Sequence, residues 1–440
     1  MTAPAARGWR SVLDPDRQLA ALTVARDVAR RSTDPERVAA ALAAAPEQTN
    51  FPKTLRWTAH GIAEGDAGLA VLCACMDAHM PDEDWDAIGH GFLATAARAV
   101  ERAPRLPTGL FSGLSGVAFA AASLSRGGTR YQRLLGALDG GLAPRAAARG
   151  IALQRRRKPG GVGEFDAISG ATGTAAYLLV RDPHAALPQV LRGLVALAEP
   201  GDGLPRWFTP RELLGDESVA RLYPHGNLNC GLAHGIPGPL AVLALALLEG
   251  HEGPGHVAAV KRLAAWVAEQ RIEDGWGVTW PSAVPVGVPA SSAPLPTRNA
   301  WCYGSPGVAR ALWLAGNALD DGELRDLAVE AMLAVSRRPV SERRIDSPTF
   351  CHGVAGLLQI VLRFANDTGL PEFSSTAAEL VDQLLEAYEP DRPLGYASLE
   401  PGSNSVDRAG LLDGAPGVAM ALLAAATDVE PTWDRLFLLS

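Results

Sequence analysis

The 440-residue chain is predicted to be all-α, folding as an α/α toroid (barrel) of seven helix-pair repeats with inner and outer helical rings. Three observations predict this fold: a Gly-x-x-Gly pattern occurs seven times, an apolar segment follows each copy, and amphipathic segments lie between the copies. The glycine pairs are Gly65/Gly68, Gly113/Gly116, Gly170/Gly173, Gly235/Gly238, Gly304/Gly307, Gly353/Gly356 and Gly414/Gly417. Because repeats extend one hydrophobic core unit by unit, a chain of this length need not divide into several domains.

The segment after each glycine pair is predicted to be an inner helix. Residues 418–425, for example, are apolar on nearly every face, as a helix buried on all sides requires. Residues 323–337 instead place apolar residues at helical spacing and charges on the opposite face, which predicts an outer helix. One glycine of each pair is expected to have a positive φ, and the other to let the helix start lie close to its neighbours.

The first and seventh repeats are as apolar as the middle ones. A linear stack needs polar end repeats, so this pattern favours closure into a ring. Residues 51–440 are predicted to form a single toroid domain, and residues 1–50 an N-terminal helical segment, helical from about 15 to 45, packed on its outside. Two proline- and glycine-rich loop insertions, at about 200–229 and 282–297, are expected to rim the active mouth.

Composition excludes several classes of protein. A net charge of −8 argues against nucleic-acid binding. The sequence near the N-terminus lacks a signal-peptide core, and the longest apolar stretch is too short to span a bilayer, so no transmembrane segment is predicted. Five cysteines are too few for a disulfide framework, which favours the reducing cytoplasm. The basic run at 155–158 is interpreted as a solvated loop or as a docking patch for an acidic peptide.

Reactive side chains share one phase of the repeat. Cys302 and Cys351 lie two residues before a glycine pair, while Tyr303, His352 and His234 lie one residue before. Equivalent positions in a ring converge on one mouth, beside helix N-termini that favour thiolate over thiol. Two thiolates and an imidazole suit Zn²⁺, and three protein ligands leave the fourth tetrahedral position open, as in catalytic sites. Cys302, Cys351 and His352 are therefore predicted zinc ligands; the alternative is that they are ordinary buried residues.

Other residues are weaker candidates. His234 is interpreted as a further ligand or a general acid/base, and Asp166, four residues before the third pair, as its partner or a helix-start aspartate. Arg298 could stabilise an oxyanion or be a surface arginine. Cys230 is interpreted as core or as support behind the site, because a fourth protein ligand would close it. Core positions or no assigned role are expected for Cys73, Cys75, His60 and His225.

Residues 301–307 (WCYGSPG), 351–356 (CHGVAG) and 233–238 (AHGIPG) resemble signature segments of the lanthipeptide cyclases, the LanC-like family. The resemblance runs through all seven repeats, over roughly residues 55–425. It implies an α/α toroid around one zinc ion. It implies Cys302, Cys351 and His352 as the zinc ligands. It also implies catalytic roles for His234 and Asp166 and supporting roles for Arg298 and Tyr303.

The resemblance also implies a reaction. A cysteine thiolate of a dehydrated precursor peptide adds, in a Michael-type reaction, to dehydroalanine or dehydrobutyrine and closes a lanthionine or methyllanthionine ring. His234 would protonate the resulting enolate, Asp166 would orient His234, and Arg298 or Tyr303 would assist at the oxygen. The chain has no room for a dehydratase portion, so a separate dehydratase and a leader-bearing precursor are the implied partners.

Three alternatives stay open. A LanC-like zinc enzyme could add another thiol, such as glutathione, to dehydroamino acids. A prenyltransferase β-subunit type of zinc toroid uses an Asp, a Cys and a His beside an aromatic cavity, and two cysteines in phase with only 6% aromatic residues argue against it. A non-catalytic peptide-binding toroid would not need the complete set of candidate site residues.

Overall fold

Seven helices form an inner ring, one after each Gly-x-x-Gly pattern, in a computed structural model that describes residues 8–103, 105–201, 203–287 and 297–440. The inner helices are α3 (Asp66–His79), α5 (Leu114–Ser123), α7 (Ala171–Val180), α10 (Pro237–Leu248), α12 (Ser305–Leu319), α15 (Val354–Thr368) and α17 (Ala415–Ala426). Each packs against the next, and α17 packs against α3, so the ring is closed. The predicted α/α toroid is confirmed.

Seven longer or amphipathic helices form the outer ring. They are α1 (Pro15–Ser32), α4 (Trp85–Arg102), α6 (Gln132–Arg155), α8 (Leu187–Val195), α11 (His256–Glu269), α13 (Gly322–Arg337) and α16 (Pro371–Glu386). In α4 the buried residues Trp85, Gly89, Leu93 and Ala96 recur every three or four positions and face the inner ring. The outer layer therefore takes its orientation from the helical spacing of apolar residues.

The N-terminal segment lies in this outer layer. Helix α1 packs against α17, the inner helix of the seventh repeat, and the Trp9 indole N–H donates to the Ala424 carbonyl at 3.1 Å. The helix predicted over 15–45 is divided, because Asp34 caps a second helix that starts with a proline, α2 (Pro35–Gln48). Chain segments from opposite ends of the sequence thus meet at one seam.

A closed circle of backbone hydrogen bonds joins the seven loops, and we call it the loop ring. Its members lie two residues before each first glycine: Ala63, Phe111, Ile168, Ala233, Cys302, Cys351 and Leu412. The loop of each repeat donates a backbone N–H to the carbonyl of the next ring member, with N···O distances of 3.0–3.4 Å; in the third repeat the donor is Ala167, one residue earlier. The Leu412 N–H donates to the Ala63 carbonyl and closes the circle.

Steric crowding against the loop backbone explains the glycine pairs. A Cβ atom at Gly304 would lie 1.7 Å from the Arg298 carbonyl oxygen, and one at Gly356 would lie 2.0 Å from that of Phe350. Among the fourteen glycines of the seven pairs, only Gly304 has a φ in the left-handed region, at 103°, whereas Gly65, at 167°, is extended. The predicted positive φ is therefore wrong for the other six pairs. At these positions glycine is required because loop backbone atoms lie too close for a Cβ atom, whatever the value of φ.

The two predicted insertions pair with each other. Strand β1 (Asn227–Asn229) runs antiparallel to β4 (Ala283–Pro285), with Leu228 opposite Val284. Residues 288–296 of the second insertion lie outside the described residues. The remaining short elements are the hairpins β2 (Ile272–Asp274) with β3 (Gly277–Thr279) and β5 (Ser398–Glu400) with β6 (Asn404–Val406), and the helices α9 (Glu217–Leu222) and α14 (Val340–Arg343). Three-residue strands are too short to give an alternating sequence pattern.

The centre of the toroid is filled by residues 432–439, which we call the central plug. It starts with a 3₁₀ helix, Thr432–Phe437. The Phe437 ring stacks on Phe350 with a centroid distance of 3.8 Å, and its carbonyl accepts the Trp301 indole N–H at 2.9 Å. Trp301 and Phe350 immediately precede two loop-ring members. The plug therefore packs against residues that adjoin the loop ring. Among the described helices, none has the length and apolarity needed to cross a membrane.

Candidate active site

The mouth of the toroid is lined by the residue that follows each loop-ring member. These seven residues are Glu64, Ser112, Ser169, His234, Tyr303, His352 and Asp413. None of them is fully buried, although most of their neighbours are. The loop ring holds the backbone of all seven loops together on this face, so their side chains are presented to a common opening.

Three ligand atoms meet on one side of this mouth. One potential ligand atom each from Cys302, Cys351 and His352 lies within 4.8 Å of the other two. The Cys302 N–H donates to the Cys351 carbonyl at 3.2 Å, so a loop-ring bond fixes the spacing of the two cysteines. Ligand atoms around one tetrahedral zinc ion lie about 3.5–4 Å apart, given metal–ligand distances of about 2.0–2.3 Å. The donor set and its spacing therefore fit zinc.

Without a metal ion, the neutral forms of Cys351 and His352 are favoured. The neighbouring Cys302 and burial raise the pKa of the Cys351 thiol well above its ordinary value. Burial lowers the pKa of His352, which keeps its imidazole neutral with a lone pair available. Metal binding would displace the thiol proton of Cys351, and a bound divalent cation would stabilise the resulting thiolate.

Asp413 is the functional candidate that sequence reasoning missed. Its Oδ1 atom lies 3.6 Å from Nδ1 of His352, is buried, and has no hydrogen-bond partner among the described residues. Burial raises the pKa of this carboxyl group. Asp413 precedes the seventh glycine pair as His352 precedes the sixth, so the shared phase was a signal that could have identified it.

His234 and Asp166 form a hydrogen-bonded pair in the fourth and third repeats, which precede the cysteine cluster along the loop ring. Nδ1 of His234 lies 2.6 Å from Oδ2 of Asp166. The second carboxylate oxygen accepts the backbone N–H groups of Ser169 and Gly170, each at 2.8 Å. Asp166 is buried, whereas 38% of the His234 side chain is exposed. Asp166 thus also holds the loop before α7, and the neutral imidazole carries its proton on Nδ1, leaving Nε2 available for proton transfer.

Arg298 and Tyr303 belong to the same loop as Cys302. The exposed Arg298 lines a cavity together with His352 and Asp413. Tyr303 is partly buried, at the mouth position that His352 occupies in the next repeat. The Tyr303 hydroxyl accepts a hydrogen bond from Asn229 at 3.0 Å, and burial raises the pKa of Tyr303 to about 12.

Other sequence candidates lie outside the metal cluster. Cys230 is buried and its thiol faces the Leu228 carbonyl, and burial raises its pKa to about 12. In the basic run, Arg156 pairs with Glu164 at 2.9 Å, while the other three side chains are exposed. The predicted core positions Cys73 and Cys75 are buried.

A cavity of about 1260 Å³ lies beside the candidate metal ligands, of which His352 is in its lining. Most of the lining comes from residues 51–64, 340–348 and 383–401, together with Arg298, His352 and Asp413. His60 lies in the wall. Pockets for small molecules are about 300–1,000 Å³, so this space suits a peptide segment.

Comparison with known proteins gives matches of three kinds. The family model of the lanthionine synthetase C-like proteins matches residues 56–438. The nisin biosynthesis protein NisC of Lactococcus lactis subsp. lactis is 27% identical over 299 residues, covering 65% of this chain and 70% of NisC. The solved structure of nisin cyclase superimposes with a TM-score of 0.73 at 22% identity, covering 91% of this chain and 96% of that structure.

Proposed function

The chain belongs to the lanthionine synthetase C-like family, and from this premise we propose that it is a zinc-dependent lanthipeptide cyclase. It joins cysteine thiolates of a dehydrated precursor peptide to dehydroalanine or dehydrobutyrine of the same peptide, forming lanthionine or methyllanthionine. The observation that carries the proposal is the two-sulfur, one-imidazole cluster, whose ligand atoms lie within 4.8 Å of one another and whose His352 lines a peptide-sized cavity.

Cys302, Cys351 and His352 would hold the zinc ion. When bound, zinc supplies a Lewis acid that keeps the peptide cysteine as a thiolate near neutral pH. Three protein ligands leave a tetrahedral position for that sulfur. The buried location of Cys302, with 7% of its surface exposed, limits access of water to the reacting thiolate.

The remaining candidate residues stabilise the negative charge that forms on the substrate and supply the proton that completes the addition. Attack of sulfur on the β-carbon forms the C–S bond and moves an electron pair to the carbonyl oxygen, giving an enolate. The guanidinium group of Arg298 and the hydroxyl group of Tyr303 stabilise this oxygen. His234, held by Asp166, delivers a proton to the α-carbon. The proton released by the substrate thiol balances the one delivered.

The cavity has room for a segment of a dehydrated peptide, which is also the acceptor in the alternative reaction with glutathione. About 1260 Å³ exceeds the volume typical of pockets for small ligands. The precursor would reach the site already dehydrated, and a separate dehydratase remains a prediction. A test with a chemically or enzymatically dehydrated peptide does not depend on that partner.

The purified protein, loaded with zinc, is incubated with a dehydrated cysteine-containing peptide, and free thiol is titrated over time. The wild-type protein should consume thiol and leave peptide mass unchanged, because ring closure is an addition within one molecule. A gain of mass with added glutathione would indicate the intermolecular reaction instead. Stoichiometric zinc without thiol loss above background would contradict the cyclase proposal.

A further inference from the structure

The side-chain amide of Asn229 connects its own loop to Tyr303. Asn229 ends strand β1 and lies six residues before the fourth glycine pair. Its Oδ1 accepts the backbone N–H of Gly231 at 2.9 Å. Its Nδ2 donates to the Tyr303 hydroxyl at 3.0 Å. One amide therefore makes two hydrogen bonds, and the two bonds have opposite polarity.

This polarity follows from the chemistry of the groups. A backbone N–H can only donate, so the Asn229 oxygen must face Gly231 and the NH₂ group must face Tyr303. The NH₂ group can only donate, so the Tyr303 oxygen must accept. The single hydroxyl hydrogen of Tyr303 is then directed away from Asn229.

The ring of Tyr303 is also fixed in place. A Cβ atom at Gly231 would lie 2.6 Å from Cδ1 of Tyr303 and 2.5 Å from the Cys302 carbonyl oxygen, so the glycine backbone packs directly on both residues. This packing restricts any movement of the side chain that would separate the hydroxyl group from Asn229.

We propose that Asn229 is a positioning residue that makes Tyr303 an obligate hydrogen-bond donor to the substrate's reacting carbonyl oxygen. This inference rests on the proposed function. Without Asn229, the hydroxyl hydrogen could turn toward other acceptors. With Asn229 in place, the hydrogen is available for the oxygen that becomes negative as sulfur adds, where a donor is worth more than in the ground state.

Asn229→Asp is the sharpest test, because aspartate keeps the shape and the acceptor for Gly231 but replaces the donor with a second acceptor. That acceptor captures the Tyr303 hydrogen. We expect turnover to fall roughly 10- to 100-fold, with kcat affected more than KM and zinc stoichiometry unchanged. Asn229→Ala should be milder, because it removes the bond to Tyr303 without capturing the hydrogen.

If Asn229 had only a structural role, the two variants would lose turnover in the opposite order. Alanine loses both hydrogen bonds and would then be worse than the isosteric aspartate. In a Tyr303→Phe background the aspartate change should have almost no further effect on turnover. Equal losses in the two backgrounds would overturn the proposal, and so would an alanine variant that is worse than the aspartate variant.

Tyr303→Phe keeps the proposal testable if the aspartate variant does not fold. That change removes the donor without touching Asn229, and wild-type turnover in it would overturn the proposal. Failure of the wild-type protein to consume thiol contradicts the proposed function itself, whereas the Asn229 proposal is tested only among variants of a protein that cyclises.

Discussion

The first two repeats and the fifth and sixth repeats have the same backbone and different chemistry. Ala63 and Phe111 occupy the loop-ring positions that Cys302 and Cys351 occupy across the toroid, and all four make the same inter-repeat hydrogen bonds. Ser112 occupies in the second repeat the position that His352 occupies in the sixth. Since the ring bonds use only main-chain groups, the scaffold places a side chain at the mouth whatever its chemistry. The candidate metal site is a local change of residue type on a shared scaffold.

The largest effect is expected from Cys302→Ala. It should abolish stoichiometric zinc binding and thiol consumption, because one of three ligands is lost, while helix content stays unchanged because the backbone hydrogen bonds of residue 302 remain. Metal analysis and circular dichroism measure the two properties. Cys230→Ala is the matched control, a buried cysteine outside the cluster that should keep its zinc. Tight stoichiometric zinc binding by Cys302→Ala would contradict the conclusion that the residues of the fifth and sixth repeats form the metal site.

His234→Ala should lower turnover next most, by about 100- to 10,000-fold, as expected when a general acid is removed. Zinc content should not change, because His234 lies outside the metal cluster. Thiol titration and metal analysis on the same preparation separate the two. His225→Ala, at an exposed loop histidine, is the control and should retain turnover. A parallel loss of zinc in His234→Ala would argue against a proton-transfer role.

Asp413→Asn should weaken zinc affinity by about 10- to 100-fold, the usual effect of removing a carboxylate that orients a metal-binding histidine. The reason is the approach of its Oδ1 to within 3.6 Å of Nδ1 of His352. Competition with a chelator measures the affinity without any activity assay. Ser112→Ala changes the equivalent position in the second repeat and should leave the affinity unchanged. Equal affinities in the two variants would show that Asp413 does not support His352.

The smallest difference should appear between equivalent glycines. Gly116→Ala and Gly356→Ala should each destabilise the fold by about 1–3 kcal/mol, since in both a Cβ atom would lie 2.0–2.2 Å from a loop carbonyl oxygen. Thermal unfolding measures both. Gly136→Ala, in α6 with open space around it, is the control and should stabilise by about 0.4–1 kcal/mol. A large inequality between the first two would mean that the repeats do not share one scaffold role.

The repeat phase made much of this predictable. Gly-x-x-Gly followed by apolar residues indicated the inner helices, and the positions of Cys302, Cys351 and His352 before their glycines indicated a common mouth. The same rule applied to Asp413, but an isolated aspartate before a glycine has no distinctive chemistry until His352 is seen beside it.

Other features depend on contacts that no local pattern contains. In the central plug, Phe437 packs on Phe350, which lies 87 residues earlier in the chain. The sequence of the plug itself shows only a short apolar run. The pairing of Leu228 with Val284 likewise joins two loops whose three-residue strands carry no periodicity. The role of the first glycines was misjudged because a steric conflict with a carbonyl six residues earlier is visible only in three dimensions.

The seam between α1 and α17 has a consequence for biosynthesis. During translation α1 leaves the ribosome first, yet the helix that it packs against is made some 380 residues later. The apolar face of α1 therefore stays exposed, or covered by a chaperone, until α17 has emerged from the ribosome. Contacts of such large sequence separation are slow to form. Closure of the toroid is therefore a late folding event, and an interrupted chain leaves an open, aggregation-prone arc.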